Sequence, residues 1–331
     1  FVNKICRSEK DWSMKDLKPA LISEMRTATA NGKGVLMAVS GGVDSLVTAV
    51  IMHRANPDNL YLVYVDNGLM RNGETNEINK LFQKMGFKHF EIIDAKADFL
   101  DKLKGVNDPE EKRRIIGHTF IEVFEKKALA LKKKSDIQFL AQGTIYPDRI
   151  ESAQPSKAAS KIKSHHNVTL PEKMHLKIIE PLKELYKDEV RELGEELGIP
   201  KERVWRHPFP GPGLAIRILG EVTEDRLRVL READEIFISE LKKEGQYDKI
   251  WQAFAALLPV KAVGVMGDSR TYENIISLRA VTSKDAMTAD WAKIPYDTLE
   301  RISTKIINNV RGANRVLYDI SQKPPATIEY E

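Results

Sequence analysis

Short apolar runs alternate with amphipathic segments over the first two thirds of the chain. Residues 35–39, 60–65 and 137–141 are mainly apolar runs bounded by turn signals, which is the pattern of a buried strand. Segments between and after them, such as residues 76–85 and 186–197, place apolar side chains three or four positions apart, as on one face of a helix. Strands that alternate with helices predict a doubly wound parallel sheet, and therefore an α/β fold.

The pattern changes at residues 207–213, which read HPFPGPG and suit neither a helix interior nor a central strand. We place a domain boundary there. The residues beyond it predict helices at 223–244, 251–258 and 296–309 and strands at 214–219, 261–266, 275–280, 315–320 and 326–330. These elements predict a smaller α+β domain with an antiparallel sheet, which pairs with a second copy of the chain.

Composition limits the class of protein. The length of 331 residues is enough for about two domains, and 30% charged with 42% hydrophobic residues is typical of a soluble globular protein. The net charge of +4 gives little support to a nucleic-acid partner. The single cysteine, Cys6, favours a reducing compartment, and the sequence has neither a signal-peptide pattern nor an apolar run of the ~18 residues that span a membrane. We therefore predict a cytoplasmic protein without a membrane partner.

The strongest chemical signal is the stretch VLMAVSGGVDS at residues 35–45. The predicted strand ends in Ser-Gly-Gly, and Gly41 and Gly42 allow the main chain to approach a ligand closely. Asp44 and Ser45 then open a helix, whose free N–H groups and positive dipole end favour an anion such as phosphate. The sequence patterns of a Walker A loop and of a Rossmann loop are both absent here. A plain strand-to-helix turn is the alternative, and the flanking Ser and Asp-Ser count against it.

Carboxylates and a polar segment follow the last of these predicted strands. Asp148 and Glu151 fall in a predicted loop at the sheet edge that carries SGGVDS, residues 40–45, which we call the phosphate loop. They would face a triphosphate only with Mg²⁺ between the charges. Residues 152–163 are small, polar and basic, which fits either a lid or a plain linker. The paired His165 and His166 lack a cysteine or a further spaced histidine, so the spacing does not favour zinc.

Nine motifs, in order along the chain, resemble the GMP synthetase family. They are SGGVDS, VDNG, DPEEKRRIIG, AQGTIYPDRIES, IKSHHNV, EPLKELYKDEVR, RHPFPGPGLAIR, GVMGDSR and KPPATIEYE. SGGVDS by itself resembles the PP-loop of the wider ATP pyrophosphatase family, whose members cleave ATP between the α and β phosphates. One short motif would indicate only that superfamily, whereas nine in order make the resemblance specific.

The resemblance implies an adenine nucleotide alpha hydrolase-like fold followed by a dimerisation domain. Residues 1–15 would be the tail of a missing glutaminase domain, 16–206 an ATP pyrophosphatase domain, and 207–331 an α+β domain for dimerisation and XMP binding. The implied activity is that of a ligase: XMP, ATP and ammonia give GMP, AMP and pyrophosphate through an adenylyl-XMP intermediate. An upstream glutaminase domain takes the ammonia from glutamine in the full-length enzyme. Because Cys6 lacks the context of a glutaminase nucleophile, we predict that this chain uses free ammonia.

The resemblance also implies roles for individual residues. The ATP set consists of Ser40, Gly41, Gly42, Val43, Asp44, Ser45 and Leu46 around pyrophosphate, with Val65 and Gly143 beside adenosine. The XMP set consists of Arg113, Pro210, Gly211, Gln252, Arg270, Lys323, Ile328 and Glu329. The catalytic set consists of Asp44 and the lid residues Lys163, His165 and His166, which would exclude water from the adenylate. The Mg²⁺ ligands are Asp44, Asp148 and Glu151.

Plainer structural roles stay open for some of these residues. Gln252 lies in the apolar stretch predicted as a helix and could serve only a core contact. Arg270 follows Gly267-Asp268 and could pair with the aspartate in a turn. Glu329 and Lys323 could form an exposed ion pair worth under about 1 kcal/mol.

Two rival functions are less well supported by the sequence. A tRNA-thiolating enzyme of the same superfamily would need paired cysteines and a strongly basic face, and the chain has neither. A nucleotide-binding sensor without turnover would keep SGGVDS but could dispense with Asp148, Glu151 and the KPPATIE stretch. The presence of all three counts against a sensor.

Overall fold

The structure is a computed structural model that describes residues 1, 5–7, 12–29, 32–153, 176–284 and 286–331. The chain divides into two compact units. The first comprises Phe1–Val65, Ile78–Ile93 and Ile121–Arg206, and the second comprises Asp66–Glu77, Asp94–Phe120 and His207–Glu331. The predicted lid residues Lys163, His165 and His166 lie outside the described residues.

A five-stranded sheet forms the centre of the first unit. Its strands are β1 (Gly34–Val39), β2 (Leu60–Asp66), β3 (His89–Asp94), β4 (Ile137–Ala141) and β5 (Lys177–Ile179). They lie in the order β3-β2-β1-β4-β5, with β1 parallel to β2 and β4, and with β4 parallel to β5. Val35, Leu36 and Met37 are all fully buried, because both faces of a central parallel strand are covered. The predicted α/β fold with a parallel sheet is confirmed.

Helices precede, connect and follow these strands. They are α1 (Met14–Ala28), α2 (Val43–Ala55), α3 (Glu74–Lys84), α4 (Lys96–Leu103), α5 (Pro109–Lys132), α6 (Tyr146–Ala153), α7 (Lys187–Glu196) and α8 (Lys201–Val204). The helix α2 packs against β1, α1 and α7, so that Val47, Thr48 and Ala49 on successive faces are all buried. This burial explains why the sequence that follows the phosphate loop has no polar face.

The prediction that Asp148 and Glu151 lie in a loop is wrong, because both belong to α6. Asp148 is the third residue of this helix, and its Oδ2 accepts a 3.0 Å hydrogen bond from the main-chain N–H of Ile145. A carboxylate at the third position satisfies an N–H group that a helix start leaves open, and thereby stabilises the helix.

A four-stranded sheet with two long helices makes up most of the second unit. Its elements are α9 (Glu224–Lys243), β6 (Gln252–Met266), β7 (Ser269–Thr282), β8 (Asp290–Trp291), α10 (Tyr296–Asn309) and β9 (Ala313–Asp319). The central strand β7 is antiparallel to β6 and β8 and parallel to β9, so the sheet is mixed rather than purely antiparallel. Phe254 of β6 and Ile328 belong to one buried apolar cluster of this unit.

Three predicted elements of the second unit are wrong. Residues 251–258 are not a helix, because 252–258 begin β6; a strand buried on both faces has the same unbroken apolar run as a buried helix. Residues 214–219 are not a strand, since Gly213–Arg217 form a 3-10 turn. Residues 326–330 form no strand either; the carbonyl oxygens of Thr327 and Ile328 accept hydrogen bonds from the Arg279 side chain instead.

Within the described ranges, no helix combines the length and the apolar character that crossing a membrane requires.

Candidate functional site

The phosphate loop of the first unit joins the end of β1 to the start of α2. Ser45 Oγ accepts a 3.1 Å hydrogen bond from the N–H of Ser40 and lies 3.0 Å from the Ser40 and Gly42 carbonyl oxygens, and these contacts close the turn. Gly42 is the N-cap of α2 and supplies no side-chain cap. The N–H groups of the first turn of α2 therefore lack the side-chain acceptor that most helix starts provide, which suits an anion such as phosphate.

Gly143, which follows β4, lies directly against the first turn of α2. A Cβ atom at this position would lie 3.1 Å from the main-chain carbon of Asp44 and 3.2 Å from the nitrogen of Ser45. Only a residue without a side chain fits at this distance without displacing the helix start. The structure thus places Gly143 beside the phosphate loop, at the carboxyl edge of the sheet where open α/β folds bind ligands.

Two cations of α7 surround Asp44. Lys187 Nζ donates a 2.5 Å hydrogen bond to Asp44 Oδ2. Arg191 lies one turn further along α7; burial lowers the pKa of its guanidinium, and Asp44 opposes that shift. Asp44 Oδ1 and Arg191 Nε are buried, and neither has a hydrogen-bond partner among the described residues. The first unit therefore presents cationic and N–H donors together at the loop.

The sequence analysis assigned no role to Lys187 or Arg191, although both stand in the motif EPLKELYKDEVR. A signal was present: residues four positions apart on a helix share a face, so a Lys and an Arg at this spacing indicate a common anionic partner. The sequence did not show which residue is that partner, because Asp44 is 143 residues away from Lys187.

The carboxylates predicted to bind Mg²⁺ fit that role unequally. Asp44 Oδ1 is a buried oxygen without a hydrogen-bond partner in the described part of the chain. Carboxylate oxygen is the ligand atom that Mg²⁺ prefers. One Asp148 oxygen stabilises the start of α6. Among the described residues, no cluster of three or more His, Cys, Asp or Glu side chains could hold a metal ion. The donor set therefore supports Asp44 as a ligand to an ion that also binds phosphate oxygens.

In the second unit, two residues of the predicted XMP set contact each other. Glu329 Oε1 accepts a 2.6 Å hydrogen bond from Gln252 Nε2, which also donates to the Pro208 carbonyl oxygen at 3.3 Å. Arg217, which is fully buried, donates to both Glu329 oxygens, with Nη2 2.8 Å from Oε1 and Nε 3.0 Å from Oε2. Gln252 thus lies on a strand and contacts a second candidate residue.

The other predicted XMP residues have separate surroundings. Arg113 Nη2 donates a 2.5 Å hydrogen bond to the main-chain oxygen of Glu331. Lys323 Nζ donates to the Ala286 carbonyl oxygen at 2.9 Å, so the exposed pair of Lys323 with Glu329 is not what the structure shows. Arg270 is exposed on β7, in register with Val265 of β6. Ile328 is buried, and the Pro210 carbonyl oxygen accepts a 3.0 Å hydrogen bond from the N–H of Gly213 in the HPFPGPG turn that also holds Gly211.

His207, at the start of that turn, is a structural residue. Its ring stacks on Tyr247 with 3.6 Å between centroids, its Nδ1 accepts from the N–H of Ala253 at 3.2 Å, and its Nε2 lies 3.0 Å from the Tyr247 carbonyl oxygen. Because Nδ1 is an acceptor, the proton of the neutral ring is on Nε2. Burial lowers the pKa of His207 to about 4.

Comparisons with known families match both parts of the chain. A family model described as "GMP synthase C terminal domain" matches residues 239–330, and one described as "Queuosine biosynthesis protein QueC" matches residues 34–206. The second match covers the phosphate loop, and the first covers Gln252 and Glu329. The solved structure of NMN synthetase from Francisella tularensis is similar over 61% of this chain and 78% of its own, with 14% identity and a TM-score of 0.46.

Curated relatives match the whole chain. The glutamine-hydrolyzing GMP synthase of Aquifex aeolicus is 57% identical over 332 residues, covering 100% of this chain and 64% of its own length. Those of Thermosipho melanesiensis and Carboxydothermus hydrogenoformans are each 56% identical and are matched over 65% and 64% of their lengths. This chain therefore spans a little under two thirds of the relatives that it matches.

Proposed function

Because the chain belongs to the GMP synthase family, we propose that it is a ligase that aminates XMP to GMP with ATP and ammonia and releases AMP and pyrophosphate. The observation that carries this proposal is the phosphate loop, in which an uncapped helix start, Asp44 and Lys187 converge. The donors around a loop of this kind stabilise a departing pyrophosphate.

The proposed reaction has two steps. In the first, the C2 oxygen of xanthine attacks the α-phosphorus of ATP and a P–O bond forms. The xanthine ring loses one N–H proton, the bond from the α-phosphorus to the bridging oxygen breaks, and pyrophosphate leaves with that oxygen. In the second, ammonia attacks C2, AMP leaves with the former C2 oxygen, and a proton is released. Adenylylation is needed because the C2 oxygen by itself is a poor leaving group.

The first unit supplies the ATP site in this proposal. Ser40 to Leu46 would hold the pyrophosphate through main-chain N–H groups, and Lys187 would pair with it as a point charge. Val65 and Gly143 would lie beside adenosine. Mg²⁺, when bound, would neutralise charge on the pyrophosphate, with Asp44 as the best-supported ligand and Asp148 and Glu151 as further candidates.

The second unit supplies the XMP residues in this proposal. Its main-chain and charged groups would bind the phosphate and base through Arg113, Pro210, Gly211, Gln252, Arg270, Lys323, Ile328 and Glu329. Lys163, His165 and His166 would belong to a lid over the adenylate. We also propose that the chain divides between residues 206 and 207 into an ATP pyrophosphatase domain and a domain for dimerisation and XMP binding. The ammonia would come from a glutaminase domain in the full-length protein, which we place in the cytoplasm.

A homodimer through the second unit completes the proposal. The hairpin of β6 and β7 exposes Val263, Val265 and Tyr272, which are 59%, 78% and 62% accessible. Val263 is in register with Tyr272, so that these apolar side chains share one face of the hairpin. Apolar residues grouped in this way mark interaction surfaces. We expect V265D to lower the molecular mass in solution from that of a dimer towards that of a monomer, as measured by light scattering.

The activity itself is tested by incubating the chain with XMP, ATP, Mg²⁺ and ammonium. We expect AMP, pyrophosphate and GMP in equal amounts, and no GMP when glutamine replaces ammonium. D44A should abolish the reaction and K187M should raise the KM for ATP, whereas K183M is the matched control because Lys183 is an exposed lysine just before α7. Formation of ADP instead of AMP would contradict the proposal, as would full activity of D44A. XMP and ATP binding without turnover would favour the sensor.

A further inference from the structure

The Glu329 carboxylate is already held by donors of the protein. Arg217 Nη2 and Gln252 Nε2 donate to Oε1 at 2.8 and 2.6 Å, and Arg217 Nε donates to Oε2 at 3.0 Å. A carboxylate has about four acceptor positions, so these three hydrogen bonds leave about one, on Oε2. The Glu329 side chain is 20% exposed, so the carboxylate is not sealed inside the protein.

Arg217 lies in the core of the second unit and not at its surface. Its side chain is fully buried, and its guanidinium carbon lies 4.1 Å from the centre of the Phe254 ring and 5.0 Å from that of Phe209. The Arg217 Nη1 atom is buried and has no hydrogen-bond partner among the described residues. Aromatic contacts fix the plane of a guanidinium, and the bidentate pair then fixes the plane of the carboxylate.

A purely structural role does not require this pair. The segment that carries Glu329 is anchored independently, because the Tyr330 hydroxyl lies 2.7 Å from Ser277 Oγ and donates to Asp319 Oδ2 at 3.0 Å. Lys112, also fully buried, forms an ion pair with Glu331 on the same segment. A buried ion pair contributes little stability compared with apolar residues of the same volume. The stability of the fold therefore does not by itself account for a charged side chain at Arg217.

We infer that Arg217 is a positioning residue for XMP, which holds the Glu329 carboxylate so that one position of Oε2 accepts an N–H of the xanthine ring. Gln252 helps to hold the Glu329 carboxylate. Its two amide N–H groups donate to Pro208 and Glu329, so what its amide still offers a ligand is the acceptor Oε1. This inference rests on the proposed function, because it assigns the base of that substrate to Glu329. Arg217 itself need not touch the substrate.

The test compares R217K, E329A and the double variant with the wild-type chain. Lysine keeps the charge but cannot form the bidentate pair. Because hydrogen bonds to a charged group are each worth a factor of about ten or more, we expect R217K to raise the KM for XMP about tenfold, with the KM for ATP unchanged within about twofold. In the E329A background, R217K should add less than about a twofold further change, since the group on which it acts is gone.

Controls separate positioning from folding. R226K is the matched control, because Arg226 is an arginine of the same unit, partly rather than fully buried, that donates to the carbonyl oxygens of Leu219 and Glu221. It should leave the KM for XMP unchanged. If R217K fails to fold, F254L is the second variant, since it keeps the charge and removes the ring beside the guanidinium; it should also raise the KM for XMP.

The outcomes distinguish this inference from the proposed function. A wild-type chain that neither binds XMP nor forms AMP would refute the proposed function. An active wild-type chain whose R217K variant melts lower but keeps its KM for XMP would overturn the inference and leave the function standing. The inference also fails if R217K raises that KM in the E329A background as much as in the wild type.

Discussion

Gly213, the last residue of the HPFPGPG turn, should be irreplaceable for two separate reasons. Its φ of +66° is in the left-handed region, which costs a residue with a side chain about 1–2 kcal/mol. A Cβ atom would also lie 2.4 Å from the Leu69 carbonyl oxygen, which already accepts a 2.7 Å hydrogen bond from the N–H of Leu214. A main-chain oxygen cannot rotate away, so the chain itself would have to move.

The two costs can be separated, because the chain offers matched glycines. Gly245 has a φ of +62° but nothing within 4 Å of its Cβ position, and Gly211 has neither a positive φ nor a neighbour at that distance. We expect G211A to change the free energy of unfolding by less than about 1 kcal/mol and G245A to lower it by about 1–2 kcal/mol. G213A combines the backbone strain with overpacking, for a loss of about 2–5 kcal/mol.

The assay is urea unfolding of the three variants and the wild type at one protein concentration, with the midpoint and the slope fitted together. The slope should stay constant across the series if the same structure unfolds in each variant. The reasoning would be refuted if G213A were no less stable than G245A, since the close approach to Leu69 would then cost nothing. It would equally be refuted if G211A were as damaging as G213A.

Two further predictions concern buried charges of the second unit. Because burial lowers the pKa of His207 from 6.5 to about 4, the unfolded chain takes up a proton before the folded one as the pH falls. The free energy of unfolding should therefore drop between pH 6.5 and pH 4, by about 3 kcal/mol at most, and H207Q should lack that step in urea titrations at each pH. K112M should lower the free energy of unfolding by about 3–5 kcal/mol, because Glu331 would stay buried without its cation. The double variant K112M/E331M should recover part of that loss. A double variant that is no more stable than K112M would contradict this prediction.

Local patterns were sufficient to predict most of the first unit. The run at 137–141 coincides with β4, and the strand, glycine pair and helix at 35–54 coincide with β1, the phosphate loop and α2. These elements are fixed by neighbours in sequence, such as the contacts of Ser45 with Ser40 and Gly42. Residues 252–258 show the limit of the method, because an apolar run of that length fits a buried helix and a buried strand equally well.

The candidate sites divide in the same way. The phosphate loop is a local structure, so its residues could be predicted from one stretch of sequence. The surroundings of Glu329 could not, since Arg217 and Gln252 lie 112 and 77 residues away from it and no local pattern indicates that they meet. Arg217 stands at the end of the motif RHPFPGPGLAIR, but it lies in a 3-10 turn rather than in the predicted strand.

The two sites offer opposite chemistry, and this difference bears on how two purine nucleotides would be told apart. The loop of the first unit presents donors: open main-chain N–H groups and the cation of Lys187. At Glu329 two donors of Arg217 and one of Gln252 are already bound to the carboxylate, so what the carboxylate still offers a ligand is an acceptor position. A xanthine ring carries N–H donors on either side of C2, whereas the ring nitrogens of adenine are acceptors and would face Glu329 with lone pairs against lone pairs. In the proposed reaction, binding of the adenine base at Glu329 is therefore disfavoured.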